Sequence, residues 1–165
     1  MSQTIIPNDM VVQGVLTPQG FNPPAACIPN AAITGPIQAS NLRQQYVKGF
    51  AQTKGAGAAV AQRQIVHVVR GATATLTFLR AVLQQANVGG ATVTVDLYKN
   101  GSSILSATMT ITNATAAYTV VSTSAFTSTA LVAGDVLEIV VTVATGGGTL
   151  GQGLQVDVEF NEDPN

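Results

Sequence analysis

Residues 92–101 read TVTVDLYKNG, and this stretch changes side at every position up to the turn that ends it. Val93, Val95 and Leu97 fall on one face, with Thr92, Thr94, Asp96 and Tyr98 on the other, the period of a half-buried strand. Asn100-Gly101 then predicts a tight hairpin, because both central residues of such a turn need φ > 0. The same grammar extends outward in both directions. Upstream, Gln64–Arg70 and Ala72–Leu83 are β-branched runs with alternating Thr73, Thr75 and Thr77, broken at Gly71, and Val88-Gly89-Gly90 is a turn. Downstream come Ser103–Ala107, Thr108–Thr112, Tyr118–Ser122, Asp135–Ala144 and Gln152–Phe160. About eight short strands with no helical period between them predict an all-β fold, a jelly-roll-like antiparallel β-sandwich over residues 64–165.

Residues 1–63 follow other rules. They hold Pro7, Pro18, Pro23, Pro24, Pro29 and Pro36, six of the seven prolines. Each fixes φ and lacks an N–H, so neither a long helix nor a central strand persists there. Apolar residues come singly or in pairs between the prolines, among them Phe21, Ile28 and Ile33. That is the pattern of an extended N-terminal arm that drops side chains into pockets. Its one helical signal is residues 40–52, with Ser40 or Asn41 as N-cap and Leu42, Tyr46 and Val47 on a face. Lys54–Ala59 (KGAGAA) reads as a flexible joint.

The composition narrows the function classes. The chain has 165 residues, 46% of them hydrophobic and only 9% charged, with Lys+Arg 7 against Asp+Glu 8. A folded monomer of this mass exposes roughly 7,700 Å². Fifteen charges are thin cover for that area, which points to a surface of Ser, Thr, Asn and Gln or to burial against other chains. Seven scattered cations do not make the clustered basic patch of a nucleic-acid binder. Cys27 is the only cysteine, which excludes an internal disulfide and a cysteine metal cage. The first residues lack the charged and apolar regions of a signal peptide, so a cytoplasmic origin is expected. Val136–Ala144, the most apolar stretch, is nine residues and contains Glu138, too short to span a bilayer. No nucleic acid and no membrane are expected as partners.

No catalytic, cofactor or metal constellation is expected either. His67, the only histidine, lies in the strand IVHVV and reads as a strand histidine with an ordinary hydrogen bond. Asp157 and Glu159 sit at i and i+2, on one strand face about 7 Å apart. Paired carboxylates at such a distance can hydrolyse glycosides, but both stand among Gln152, Gln155 and the NEDPN terminus, where nothing raises a pKa. Gly146, Gly148 and Gly151 match G-x-G-x-x-G literally, yet a strand follows where the dinucleotide motif needs a helix. Asp135 in AGD reads as the cap of a tight turn. Asn100-Gly-Ser102 and Asn113-Ala-Thr115 are glycosylation sequons in form only. Arg43, Lys48, Lys54 and Arg63 make a weakly basic stretch suited to an acidic protein surface.

The body from about Val66 to Pro164 resembles a jelly-roll domain that recurs in tailed-phage virion proteins, namely capsid cement (decoration) proteins and related head or tail fibre modules. The residues that carry the resemblance are VTVDLYKNG (93–101), LVAGDVLEIVVTV (131–143) and GTLGQGLQVDVEFNE (148–162), with IPNAAITGPIQASNLRQQYV (28–47) as an "I-x-A-x-x-L" lead-in. The resemblance implies a virion structural protein rather than an enzyme, located on the capsid surface and assembled in the host cytoplasm. Its implied partners are further copies of itself, as a homotrimer, and the major capsid protein. An arm of about 50 residues reaches up to roughly 165 Å when extended, far enough to cross to neighbours. Phe21, Ile28, Ile33, Leu42, Tyr46 and Phe50 are its candidate contact residues. They are large apolar side chains which otherwise fold back on their own sandwich. The alternative is a head or tail fibre module that binds a host-surface glycan. Its weakness is a chain with no Trp and with Tyr only at 46, 98 and 118. A third reading is a sandwich-fold carbohydrate enzyme acting through Asp157 and Glu159.

Overall fold

A computed structural model describes residues 44–52 and 57–163. Ten strands run in chain order: β1 (Gln44–Ala51), β2 (Gln62–Val68), β3 (Thr73–Gln85), β4 (Thr92–Lys99), β5 (Ser102–Ser103), β6 (Met109–Ile111), β7 (Val121–Thr123), β8 (Ala130–Val132), β9 (Val136–Ala144) and β10 (Gln152–Asp163). One sheet has the order β1-β10-β3-β7, with β8 also on β3; the other has β2-β9-β4-β5, with β6 also on β4. All pairings are antiparallel.

The topology is a long hairpin rolled up. β1 pairs β10, β2 pairs β9, β3 pairs β7 and β8, and β4 pairs β5 and β6. Rolling then brings β10 against β3 and β9 against β4. The fourth position of each sheet is split into two short pieces, so ten strands fill the eight positions of a jelly roll. The expected all-β sandwich is thus the fold of this chain.

Its core comes from the inward faces that the alternation marks. Val93, Val95 and Leu97 of β4, Leu137, Ile139 and Val141 of β9, and Val156, Val158 and Phe160 of β10 are all buried. In β3 the phase reverses at Thr77, where the register with β10 shifts. Ala74 and Leu76 point inward before this β-bulge and Leu79, Ala81 and Leu83 after it, which leaves Phe78 on the outer face. The hairpin at Asn100-Gly101 has φ of 52° and 83°, as expected.

Two expectations need correction. The helical signal at 40–52 is overturned over its described part, because Gln44–Ala51 forms strand β1. The physical reason is β10: its outer edge would otherwise leave a row of backbone groups unpaired, and β1 satisfies it over eight residue pairs, from Gln44↔Glu162 to Ala51↔Gln155. β1 is thus a strand of the sandwich, paired with β10. Second, Ala130–Val132 is a further short strand, which buries Leu131.

Candidate functional site

β1 and β2 are the outermost strands of their sheets, on the same side of the sandwich. A cavity of about 430 Å³ opens there, lined by Tyr46 and Lys48 of β1, Ile65–Val68 of β2, Arg70 and Glu162. Alternation on β1 turns Tyr46, Lys48 and Phe50 inward. On β2 the register with β9 shifts between Ile65 and His67, and this bulge turns His67 into the sandwich while Ile65 stays outside.

The floor of the cavity is an aromatic and ionic cluster. The His67 ring lies 4.6 Å from that of Phe160 and 5.9 Å from that of Tyr46, which stacks on Phe160 at 5.6 Å. The Glu162 carboxylate is buried and accepts hydrogen bonds from the Arg70 N–H at 2.6 Å, from the Gly71 N–H and from His67 Nε2 at 3.0 Å. Burial pushes the Glu162 carboxyl up. The two backbone N–H groups and His67 outweigh it and hold the carboxyl below its ordinary value. An ionised carboxylate only accepts, so His67 Nε2 is the donor of this pair. The link ties β2 of one sheet to β10 of the other and to the Arg70-Gly71 turn. Lys48 Nζ sits 5.4 Å from the centre of the Tyr46 ring, at the rim.

Chemically, His67 and Glu162 are engaged with each other. Glu162 is engaged by three donors, and the imidazole packs against the Phe160 and Tyr46 rings. In the lining Ile65 is 61% and Val68 45% exposed, beside the cations Lys48 and Arg70; Val47, 55% exposed, lies on the outer face of β1. Among the described residues no group of three or more His, Cys, Asp or Glu could hold a metal ion, and no helix is long and apolar enough to cross a membrane.

The other candidate residues fall elsewhere. Phe50 lies in the core cluster of its own sandwich, whereas Tyr46 lines the cavity. Phe21, Cys27, Ile28, Ile33, Leu42 and Arg43, and Lys54 in the joint, lie outside the described residues. Asp157 and Glu159 share the outer face of β10. Asp157 accepts from Gln155, and Glu159 takes hydrogen bonds from Arg80, Gln45 and Thr77. The Arg80 guanidinium above all holds the Glu159 carboxyl below its ordinary value, the opposite of what a general acid needs. Gly146, Gly148 and Gly151 lie in the β9–β10 loop. A Cβ on Gly148 would stand 1.9 Å from the Val88 carbonyl oxygen, so close backbone packing explains that glycine. Asp135 caps its turn, accepting from the Val132 N–H at 2.9 Å and from Asn100 Nδ2 at 2.7 Å. The Val132 N–H, above all, holds its carboxyl below the ordinary value. Sequence reasoning missed Glu162 and the cavity it floors. The only available signal was a lone histidine and a late glutamate in two separate strands.

No protein-family model matches the chain, and no curated protein does. Among solved structures, a structure of infectious bursal disease virus (Gt strain) is similar at a TM-score of 0.37 and 11% identity, over 75% of this chain and 33% of that one. A mutant VP2 protein of the same virus, from derived T=1 particles, gives a TM-score of 0.34 and 11% identity, over 74% and 32%. This chain thus spans about a third of the length of those chains.

Proposed function

We propose that this chain is a virion structural protein of the capsid cement, or decoration, type: a homotrimer on the capsid surface that bridges major capsid subunits and stabilises the head. The observation that carries this reading is the open β1–β2 edge. It offers a cavity over Tyr46 lined by the exposed side chains of Ile65 and Val68 and by Lys48 and Arg70, in which His67 and Glu162 are engaged with each other. Such an edge accepts an apolar side chain from a neighbour and offers no reacting group. It is also where the 43 residues with the proline-spaced apolar pattern join the body. Three arms on one trimer multiply modest contacts through effective concentration, and slow release follows.

The test is removal of residues 1–43, a cut that keeps β1 and therefore the body. Co-sedimentation with purified shells that lack the protein should show attachment by the full chain and none by the truncated one. Normal attachment of the truncated chain would refute the role of the arm. A glycan-binding fibre module is the second reading, favoured by Tyr118, which stands 70% exposed on a loop with φ of 62°. A glycan array without hits removes it.

A further inference from the structure

Among the described residues β1 forms a ladder with β10 alone and β2 with β9 alone, so one edge of each strand carries no ladder partner. Such an edge presents backbone N–H and C=O groups to any further strand. The two edges are not equivalent. β2 bulges between Ile65 and His67, which breaks the regular repeat that an added strand would follow. β1 runs through eight consecutive pairs with β10, from Gln44↔Glu162 to Ala51↔Gln155, without a shift. Its edge is the regular template.

A strand added to β1 inherits its alternation. Its inward side chains fall beside Tyr46 and Lys48, the β1 residues that line the cavity, and the residue between them falls beside Val47 on the outer face. The two inward places meet different chemistry. Beside Tyr46 lies the space of about 430 Å³, with Ile65, Val66 and Val68 across it, room for a large apolar side chain. At the other place stands the Lys48 ammonium, 5.4 Å from the centre of the Tyr46 ring and with no ion pair among the described residues. Glu162 is the acid of the lining, but its charge is met by His67 and by the Arg70 and Gly71 N–H groups.

We propose that this edge binds an extended segment of a partner protein by strand addition to β1, and that it selects a large apolar residue two places from an Asp or Glu. Backbone hydrogen bonds along β1 supply affinity, and the alternate side chains supply the selection. The apolar side chain covers Tyr46 and His67, and the carboxylate pairs with Lys48. A basic residue at that second place would set two cations side by side, which is how the edge rejects other segments. The inference deepens the proposed function and rests on that reading only for the identity of the partner as a capsid subunit.

Selection of a displayed library of random peptides on the immobilised full chain tests it. Wild type should enrich peptides with a large apolar residue two places from Asp or Glu. Lys48→Glu should enrich Lys or Arg at the second place instead. Lys48→Gln, the milder change, should keep the apolar preference and lose the acidic one, and circular dichroism confirms folding of both variants. A synthetic copy of the most enriched peptide should slow hydrogen exchange at β1 amides. It should bind Lys48→Gln roughly two- to fivefold more weakly than wild type, the range of an exposed ion pair. No enrichment, or an unchanged acidic preference in the Lys48 variants, would overturn the proposal, as would slowed exchange at β2 in place of β1. Co-sedimentation with shells reads the proposed function separately. Attachment without enrichment would leave that function standing and sink this inference, and enrichment without attachment would do the reverse.

Discussion

β4 (Thr92–Lys99) and β1 (Gln44–Ala51) are both eight residues long, yet different forces hold them. β4 is flanked by β9 on one side and by β5 and β6 on the other, and Val93, Val95 and Leu97 are fully buried. Among the described residues β1 forms a ladder with β10 alone, exposes Val47 and buries a single large side chain, Phe50. An inner strand is thus fixed by apolar burial on a strict period of two. The outer pair β1 and β2 is fixed by particular contacts: the Tyr46 stack, the His67–Glu162 link, and the Gln52 amide bridging the Val60 backbone and Gln62. Removing apolar volume should therefore harm the first region most, and removing single polar groups should harm the second.

The largest expected effect lies in the inner region. Leu97→Ala leaves a cavity in a closed core and should lower stability by about 2–5 kcal/mol, read as a shift of the urea midpoint. Gly49→Ala tests how tightly the outer strand is held against β10. Its Cβ would stand 1.9 Å from the Val156 carbonyl oxygen, so the backbone must shift, and a loss of about 1–3 kcal/mol should follow. No loss would mean that β1 is only loosely attached and that the two regions differ more than their ladders imply.

Glu162→Gln keeps an acceptor near Arg70 and Gly71 but exchanges charge-assisted hydrogen bonds for neutral ones, and should lose about 1 kcal/mol at neutral pH. Because the folded carboxyl sits below its ordinary value, its stabilisation is complete above the usual glutamate range and disappears as pH falls through the lowered value. The gap between wild type and variant should accordingly narrow as pH falls below the usual glutamate range, and a gap that stays constant would separate the link from ionisation. The smallest effect belongs to Arg63→Ala. This side chain pairs with Glu138 and covers the Tyr98 ring from an exposed position, and no measurable change in the urea midpoint is expected.

Legibility in the sequence follows the same division. In β4 the alternation and the Asn100-Gly101 turn are local, so ten consecutive residues, 92–101, carry them. In β1, Leu42 and Tyr46 satisfy a helical i, i+4 spacing as well as Tyr46, Lys48 and Phe50 satisfy a strand. The deciding partner, β10, lies more than a hundred residues later in the chain, with Gln44 opposite Glu162. The cavity was hidden for the same reason. His67 and Glu162 meet only because β2 bulges at Val66 and the rolled hairpin closes two sheets over each other.

The pairing of Gln44 with Glu162 has a practical consequence. Ladder partners lie about 5 Å apart, so the first and last described strands start and finish side by side. A short linker could join them into a circularly permuted chain, with new ends opened in the β7–β8 connection, and the order of strands in both sheets would be unchanged.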